Sequence, residues 1–189
     1  MKSGYIHPSF VREIITFLDL WVPIGLIIKL GKLFCKGSKI MEELVKRELI
    51  AADVEACDWK DAIRKAGELL IDRGDIERDY IEQMIASVEE YGPYMVITKG
   101  FALAHAAPSE AVRNNSMSLI NLREPVEFGS RNDPVSVVLC LACTDKESHM
   151  EKLQKVAMRL MIPGMVELLS ECENADALYR EINGETKEV

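Results

Sequence analysis

An α/β fold built on one mixed sheet is what the chain predicts, and three observations predict it. From Met41 onward, short apolar stretches of strand character alternate with stretches whose apolar residues recur at helical spacing. The run Val135-Ser-Val-Val-Leu-Cys-Leu-Ala-Cys143 is apolar almost throughout, as a strand buried on both faces must be. The helical stretches carry one-sided apolar stripes, such as Ile63, Ala66, Leu69 and Leu70, which need a sheet to cover.

The elements follow in order. A short helix is expected over Met41–Glu48 and a strand over Leu49–Glu55. Asp58 caps a helix that runs to Arg73 and stops at Gly74. A second helix spans Arg78–Glu90, with Ile81, Met84, Ile85 and Val88 on one side, and Gly92-Pro93 ends it. Strands are expected over Tyr94–Thr98, Phe101–Ala104 and Ser116–Leu122, the last with Asn121 out of phase, and then over Val135–Cys143. Helices over His149–Met161, Met165–Ser170 and Ala175–Ile182 complete the chain before the charged tail. Met158, Met161 and Met165 read as packing residues.

The 189 residues suit one domain with an appendage, and 48% apolar with 29% charged residues excludes a disordered or fibrous chain. A net charge of -8 without a Lys/Arg cluster speaks against nucleic acid as a partner. Five scattered cysteines without a clear signal peptide point to reduced thiols and a cytoplasmic location. Residues 1–40 form an N-terminal apolar extension, set apart from the domain at 41–189. Asp19, Pro23, Lys29 and Lys32 break the apolar stretch, and Leu20–Ile28 is too short to span a bilayer, which takes about 20 residues. Two readings stay open for it: an upstream stretch ahead of a start at Met41, or an amphipathic, membrane-surface extension.

Chemistry concentrates on two of the three histidines, His7, His105 and His149. His105 follows a strand, and Pro108 just beyond it can open a helical turn whose free amides face an anion. His149 lies between two capping-box patterns, Thr144-Asp-Lys-Glu147 and Ser148-His-Met-Glu151, either of which sets it at a helix start. There the macrodipole disfavours imidazolium, and a neutral ring can donate to a phosphoryl oxygen. Converging histidines of this kind suit phosphoryl transfer, in which one ring nitrogen attacks in line. Zinc finds no third or fourth ligand at a recognisable spacing, so no metal is expected. Cys140-Leu-Ala-Cys143 reads as core, since residues three apart on a strand face opposite ways. The isolated Gly92, Gly100 and Gly129 give no phosphate loop, so no cofactor is expected and phosphate must arrive on a partner.

The segment Tyr91-Gly-Pro-Tyr-Met-Val-Ile-Thr-Lys-Gly-Phe-Ala-Leu-Ala-His-Ala-Ala-Pro108 resembles the active-site segment of mannitol/fructose-type enzyme IIA (EIIA) domains of the bacterial phosphotransferase system. The likeness is greatest to the ascorbate-type branch. It continues through Leu122-Arg-Glu-Pro-Val-Glu-Phe128, Asn132-Asp-Pro-Val135 and His149, from about Met41 to Ile182. The resemblance implies the EIIA type-2 fold, a mixed, mostly five-stranded sheet flanked by helices on both faces. It implies that His105 accepts a phosphoryl group from the phosphocarrier HPr and passes it to a cysteine of enzyme IIB, which works with the membrane enzyme IIC, for uptake of ascorbate or a related sugar or polyol. His149 then matches the second, phosphoryl-supporting histidine, and Glu90 falls where many members carry a glutamate. Two departures stand out: Ala104 replaces a common proline, and Glu89 stands where the mannitol branch carries arginine. Partner contacts are expected near Phe101, and a homo-oligomer is left open. The alternative is a regulatory EIIA-like domain whose phosphorylation state controls a partner.

Overall fold

The computed structural model describes residues 43–184, so the apolar stretch within residues 1–40 and the end of the charged tail lie outside the described residues. Five strands are present: β1 Ile50–Val54, β2 Val96–Thr98, β3 Phe101–His105, β4 Ser116–Val126 and β5 Val135–Ala142. The described helices are α1 Trp59–Asp72, α2 Arg78–Tyr91, α3 Lys146–Leu160, α4 Met165–Ser170 and α5 Ala175–Asn183. The strands form one sheet in the order β1-β4-β5-β3-β2. It is mixed: β1 runs parallel to β4 and β3 parallel to β5, while β4–β5 and β2–β3 are antiparallel. This is the expected α/β fold, and its central position is filled by the apolar run at β5, where every residue but Ser136 is buried.

Two polar side chains on β4 show that helices cover both faces. Ser118 and Asn121 are three apart, so they point in opposite directions. Ser118 Oγ donates to the Ala66 carbonyl of α1 at 2.6 Å. Asn121 Nδ2 donates to the carbonyls of Leu169 at 3.1 Å and Cys172 at 2.8 Å, at the end of α4, while its Oδ1 accepts from the Asp53 amide at 2.9 Å. The residue that breaks the apolar alternation of this strand is therefore a buried tie between β1 and α4. Helices α1 and α2 close tightly on each other, since a Cβ at Gly67 would lie 2.6 Å from the Ile81 side chain.

Register assigns each strand residue to a face. His105 pairs with Leu141, and Leu141 with Met117, so His105 shares the α4 face with Asn121. Ala104, Cys140 and Ser118 line up on the α1 face, where Cys140 Sγ lies 3.6 Å from Met84 Sδ. Gly100, at φ +75°, makes the turn between β2 and β3 that antiparallel pairing needs.

In its elements and packing the structure departs from the sequence reading at several places. The helix expected at Met41–Glu48 is, over its described part, an irregular lead with a single 3-10 turn at Arg47–Leu49. The amides of Leu44 and Val45 bond Asn183 Oδ1 instead of leading into a helical ladder. Strand β4 runs on to Val126, which pairs with Val135, although Arg123, Glu124 and Pro125 are exposed. Helix α3 begins at Lys146, three residues ahead of His149. Of the three methionines only Met165 is packed, at 4% exposure, against 63% for Met158 and 58% for Met161. Among the described residues no helix is long and apolar enough to cross a membrane.

Candidate functional site

His105 is the last residue of β3 rather than the first beyond it, and its ring is held on three sides. Nδ1 lies 2.8 Å from the Leu103 carbonyl. A carbonyl only accepts, so Nδ1 carries the hydrogen and Nε2 keeps the lone pair. The Tyr94 ring meets the imidazole edge-on, 5.5 Å between centroids at 88°. The His149 ring stands 5.4 Å away at 51°. The structure thus brings together two residues separated by 43 intervening positions in the sequence, on the face shared by β3 and α3.

Both rings are nearly enclosed, His105 at 6% and His149 at 2% exposure. Burial holds the His105 ring below its ordinary titration range, against a smaller opposing pull from the Leu103 carbonyl. His149 is pushed down to about 4, first by burial and then by the charge His105 would carry. At neutral pH the pair is uncharged, each ring having one nitrogen able to donate and one able to accept.

The helix that carries His149 is capped differently from either predicted pattern. Asp145 is the N-cap, and its carboxylate accepts from the Ser148 amide and hydroxyl, both at 2.8 Å. Those bonds hold Asp145 below the usual carboxylate range. The His149 amide already bonds the Asp145 carbonyl at 3.2 Å. His149 is therefore the fourth helical residue, its own amide is taken up within the helix, and the Ser148 amide is taken up by the cap. Ahead of it, Asn115 Oδ1 accepts from the Thr144 amide at 2.7 Å, tying the loop after His105 to the start of α3. Asp145→Ala should lower stability through the lost cap, read as a lowered urea midpoint. A midpoint equal to wild type would show that Asp145 does not hold the helix start.

The remaining predicted features resolve as follows. No helix begins at Pro108; residues 106–109 are irregular and a turn follows at 110–111. Glu90 is exposed on the last turn of α2, and Glu89 beside it pairs with Lys60. Phe101 is fully buried at the far end of β3 from His105, roughly 13 Å along the strand, so it is core and not a partner contact. Cys140 and Cys143 are buried, with burial pushing their thiols up to about 12 and about 11. Among the described residues no group of three or more His, Cys, Asp or Glu could hold a metal ion. Sequence reading missed two tyrosines. Tyr94 directs its hydroxyl to the His105 carbonyl at 3.4 Å, and Tyr80 bonds backbone on both sides of the strand end.

The depressed histidine values give a pH dependence with a definite sign. A base whose folded value lies below its unfolded one takes its proton in the unfolded chain first. The associated stability is present above the ordinary value near 6.5 and is lost as pH falls towards about 4 for His149. Each pH unit in that window should remove about 1.4 kcal/mol for that ring. Urea midpoints measured from pH 7 down to 5 should fall, and His149→Gln should flatten the slope. A flat wild-type profile would exclude a neutral, enclosed His149.

Comparison with known proteins adds to this geometry. The family described as phosphoenolpyruvate-dependent sugar phosphotransferase system, EIIA 2, matches residues 43–185. The chain is 32% identical over 141 residues to the ascorbate-specific PTS system EIIA component of Escherichia coli strain K12, covering 74% of this chain and 86% of that protein. Among solved structures it is similar to a PTS IIA protein from Streptococcus mutans, with TM-score 0.68 and 29% identity over 73% of this chain and 88% of that one. It is also similar to the mannitol-specific cryptic enzyme IIA CmtB of Escherichia coli, with TM-score 0.67 and 26% identity over 74% of this chain and 94% of that one.

Proposed function

Because the chain belongs to the EIIA 2 family of the phosphoenolpyruvate-dependent sugar phosphotransferase system, we propose that His105 is the residue on which this phosphotransferase component carries its phosphoryl group. The observation that carries the reading is the Nδ1 bond to the Leu103 carbonyl, which fixes Nε2 as the nitrogen with the free lone pair. Residues 41–189 form the EIIA type-2 domain, with residues 1–40 outside it, and the protein works in the cytoplasm. The family match from residue 43 supports the first of these.

Two displacements make up the cycle. The Nε2 lone pair attacks the phosphorus of phospho-HPr in line, a phosphorus–nitrogen bond forms, and the bond to the HPr donor atom breaks with its electrons returning to HPr. Nδ1–H stays on the Leu103 carbonyl throughout, so the ring needs no tautomer change. A cysteine thiolate of enzyme IIB then attacks phosphorus, and the Nε2 bond breaks with its electron pair returning to the ring. His149 donates to a phosphoryl oxygen and is well suited to do so while neutral. Glu90 enters the site through its family position, on the exposed last turn of α2. Ascorbate or a related sugar or polyol is the transported substrate, as the ascorbate-specific relative supports.

Incubation with phosphoenolpyruvate, enzyme I and HPr should place an acid-labile, base-stable phosphoryl group on the peptide containing His105. Label on another residue refutes the assignment. Transfer onward should be faster to an ascorbate-system enzyme IIB than to a mannitol-system one, and the reverse order refutes the substrate.

A further inference from the structure

Two tyrosine hydroxyls grip successive backbone groups at the point where β3 leaves the sheet. The ladder between β3 and β5 ends with His105 opposite Leu141. Beyond that pair the Tyr80 hydroxyl takes over. It lies 2.9 Å from the Leu141 carbonyl and 3.1 Å from the Ala106 carbonyl, and it accepts the Ala106 amide at 3.1 Å. One phenol hydrogen serves two carbonyls, and one oxygen receives the amide. Tyr80 is fully buried, and burial holds its phenol protonated.

Tyr94 works one residue earlier. Its hydroxyl donates to the His105 carbonyl at 3.4 Å, and its ring packs edge-on to the imidazole. The imidazole therefore lies between Tyr94 and His149, with Leu103 fixing the direction of Nδ1. Without Tyr94 the ring could turn about its bond to the backbone and lose the Leu103 contact. Without the Tyr80 hydroxyl the Ala106 amide and the Leu141 carbonyl lose a buried partner, and the strand end shifts.

We propose that Tyr94 and Tyr80 are positioning residues for His105, Tyr94 fixing the plane of the ring and Tyr80 fixing the main chain that carries it. The proposal rests on the reading of His105 as phosphoryl acceptor. Neither tyrosine touches the phosphoryl group in this scheme; both act by keeping Nε2 in line with the incoming phosphorus. A displacement of about 1 Å at a reacting atom can cost two orders of magnitude in rate.

The test pairs a chemical-shift measurement with single-turnover kinetics. In wild type the imidazole nitrogens of His105 should report one tautomer, protonated at Nδ1. Tyr94→Leu should mix the two tautomers and slow phosphorylation about tenfold or more at saturating phospho-HPr, with the half-saturating concentration unchanged. Tyr94→Phe, which keeps the ring, should stay within about threefold of wild type and keep the single tautomer. Tyr80→Phe should slow the same step while leaving the tautomer intact, since the ring's own contacts remain. Should Tyr94→Leu fail to fold, Tyr94→Met supplies the same loss of the aromatic edge at similar volume. A folded Tyr94 variant without the ring that keeps one tautomer and the wild-type rate overturns the role of Tyr94. A Tyr80→Phe protein with the wild-type rate overturns that of Tyr80. Failure of the acceptor reading looks different: the label in wild type would be absent from His105, whatever its tautomer.

Discussion

In a His105→Ala protein incubated with phosphoenolpyruvate, enzyme I and HPr, the expected result is no phosphoryl mass gain at all. The substitution removes Nε2, the atom whose lone pair the Leu103 contact leaves free, so the expected loss is of the nucleophile and not of a supporting contact. The fold should survive. Alanine leaves the Leu103 carbonyl without its ring donor, a cost of about 1–3 kcal/mol, which a domain of this size tolerates. Circular dichroism and urea midpoints separate that cost from the loss of acceptance. An undiminished mass gain on the folded variant would remove His105 from the mechanism.

His149→Ala is expected to behave differently: it should still become phosphorylated, but transfer to enzyme IIB should slow by about 10²–10³-fold. That range is what loss of one aligned donor to a developing phosphoryl charge typically costs. The donor must be neutral to play this part without trapping the group, and the depression of His149 to about 4 keeps it so across the physiological range. His149→Gln restores an N–H near the same place and should recover part of the rate. Wild-type transfer kinetics in the alanine variant would leave His149 a packing residue only.

Much of this arrangement is legible in the sequence, and the reasons differ by element. The central strand is visible because burial on both faces leaves Ser136 as the one polar residue from Val135 to Ala142. Helix α1 is visible because Asp58 caps it through its own side chain, accepting from the Asp61 amide at 2.8 Å. Element ends can be read for His105 and His149 separately, and their pairing comes from the order of the motifs in the family resemblance. What could not be read has a common cause, namely tertiary bonds between residues far apart. The lead into β1 is decided by Asn183, more than a hundred residues away. Thr144, Asp145 and Ser148 all qualify as caps by type, and only the packing of α3 chooses Asp145. Tyr80 and Tyr94 bond main-chain atoms, and a phenol with a backbone partner leaves no pattern in the chain. Met158 and Met161 carry helical spacing onto a face that the fold leaves uncovered.

The Asp145 cap bears on how readily the group can leave. A phosphoryl dianion seated on unpaired helix amides, or gripped by a guanidinium, would sit in a deep electrostatic well and dissociate slowly. Here the Asp145 carboxylate already holds the Ser148 amide of α3, and the three groups described around the His105 ring, Leu103, Tyr94 and His149, are all uncharged. On the proposed role of His105, the phosphorylated protein is expected to be an intermediate of high transfer potential, held by geometry more than by attraction. On the same proposed role, the residence of the group on His105 would depend on which nucleophile arrives first, the thiolate of a partner or water, and the near-complete enclosure of the rings works against water.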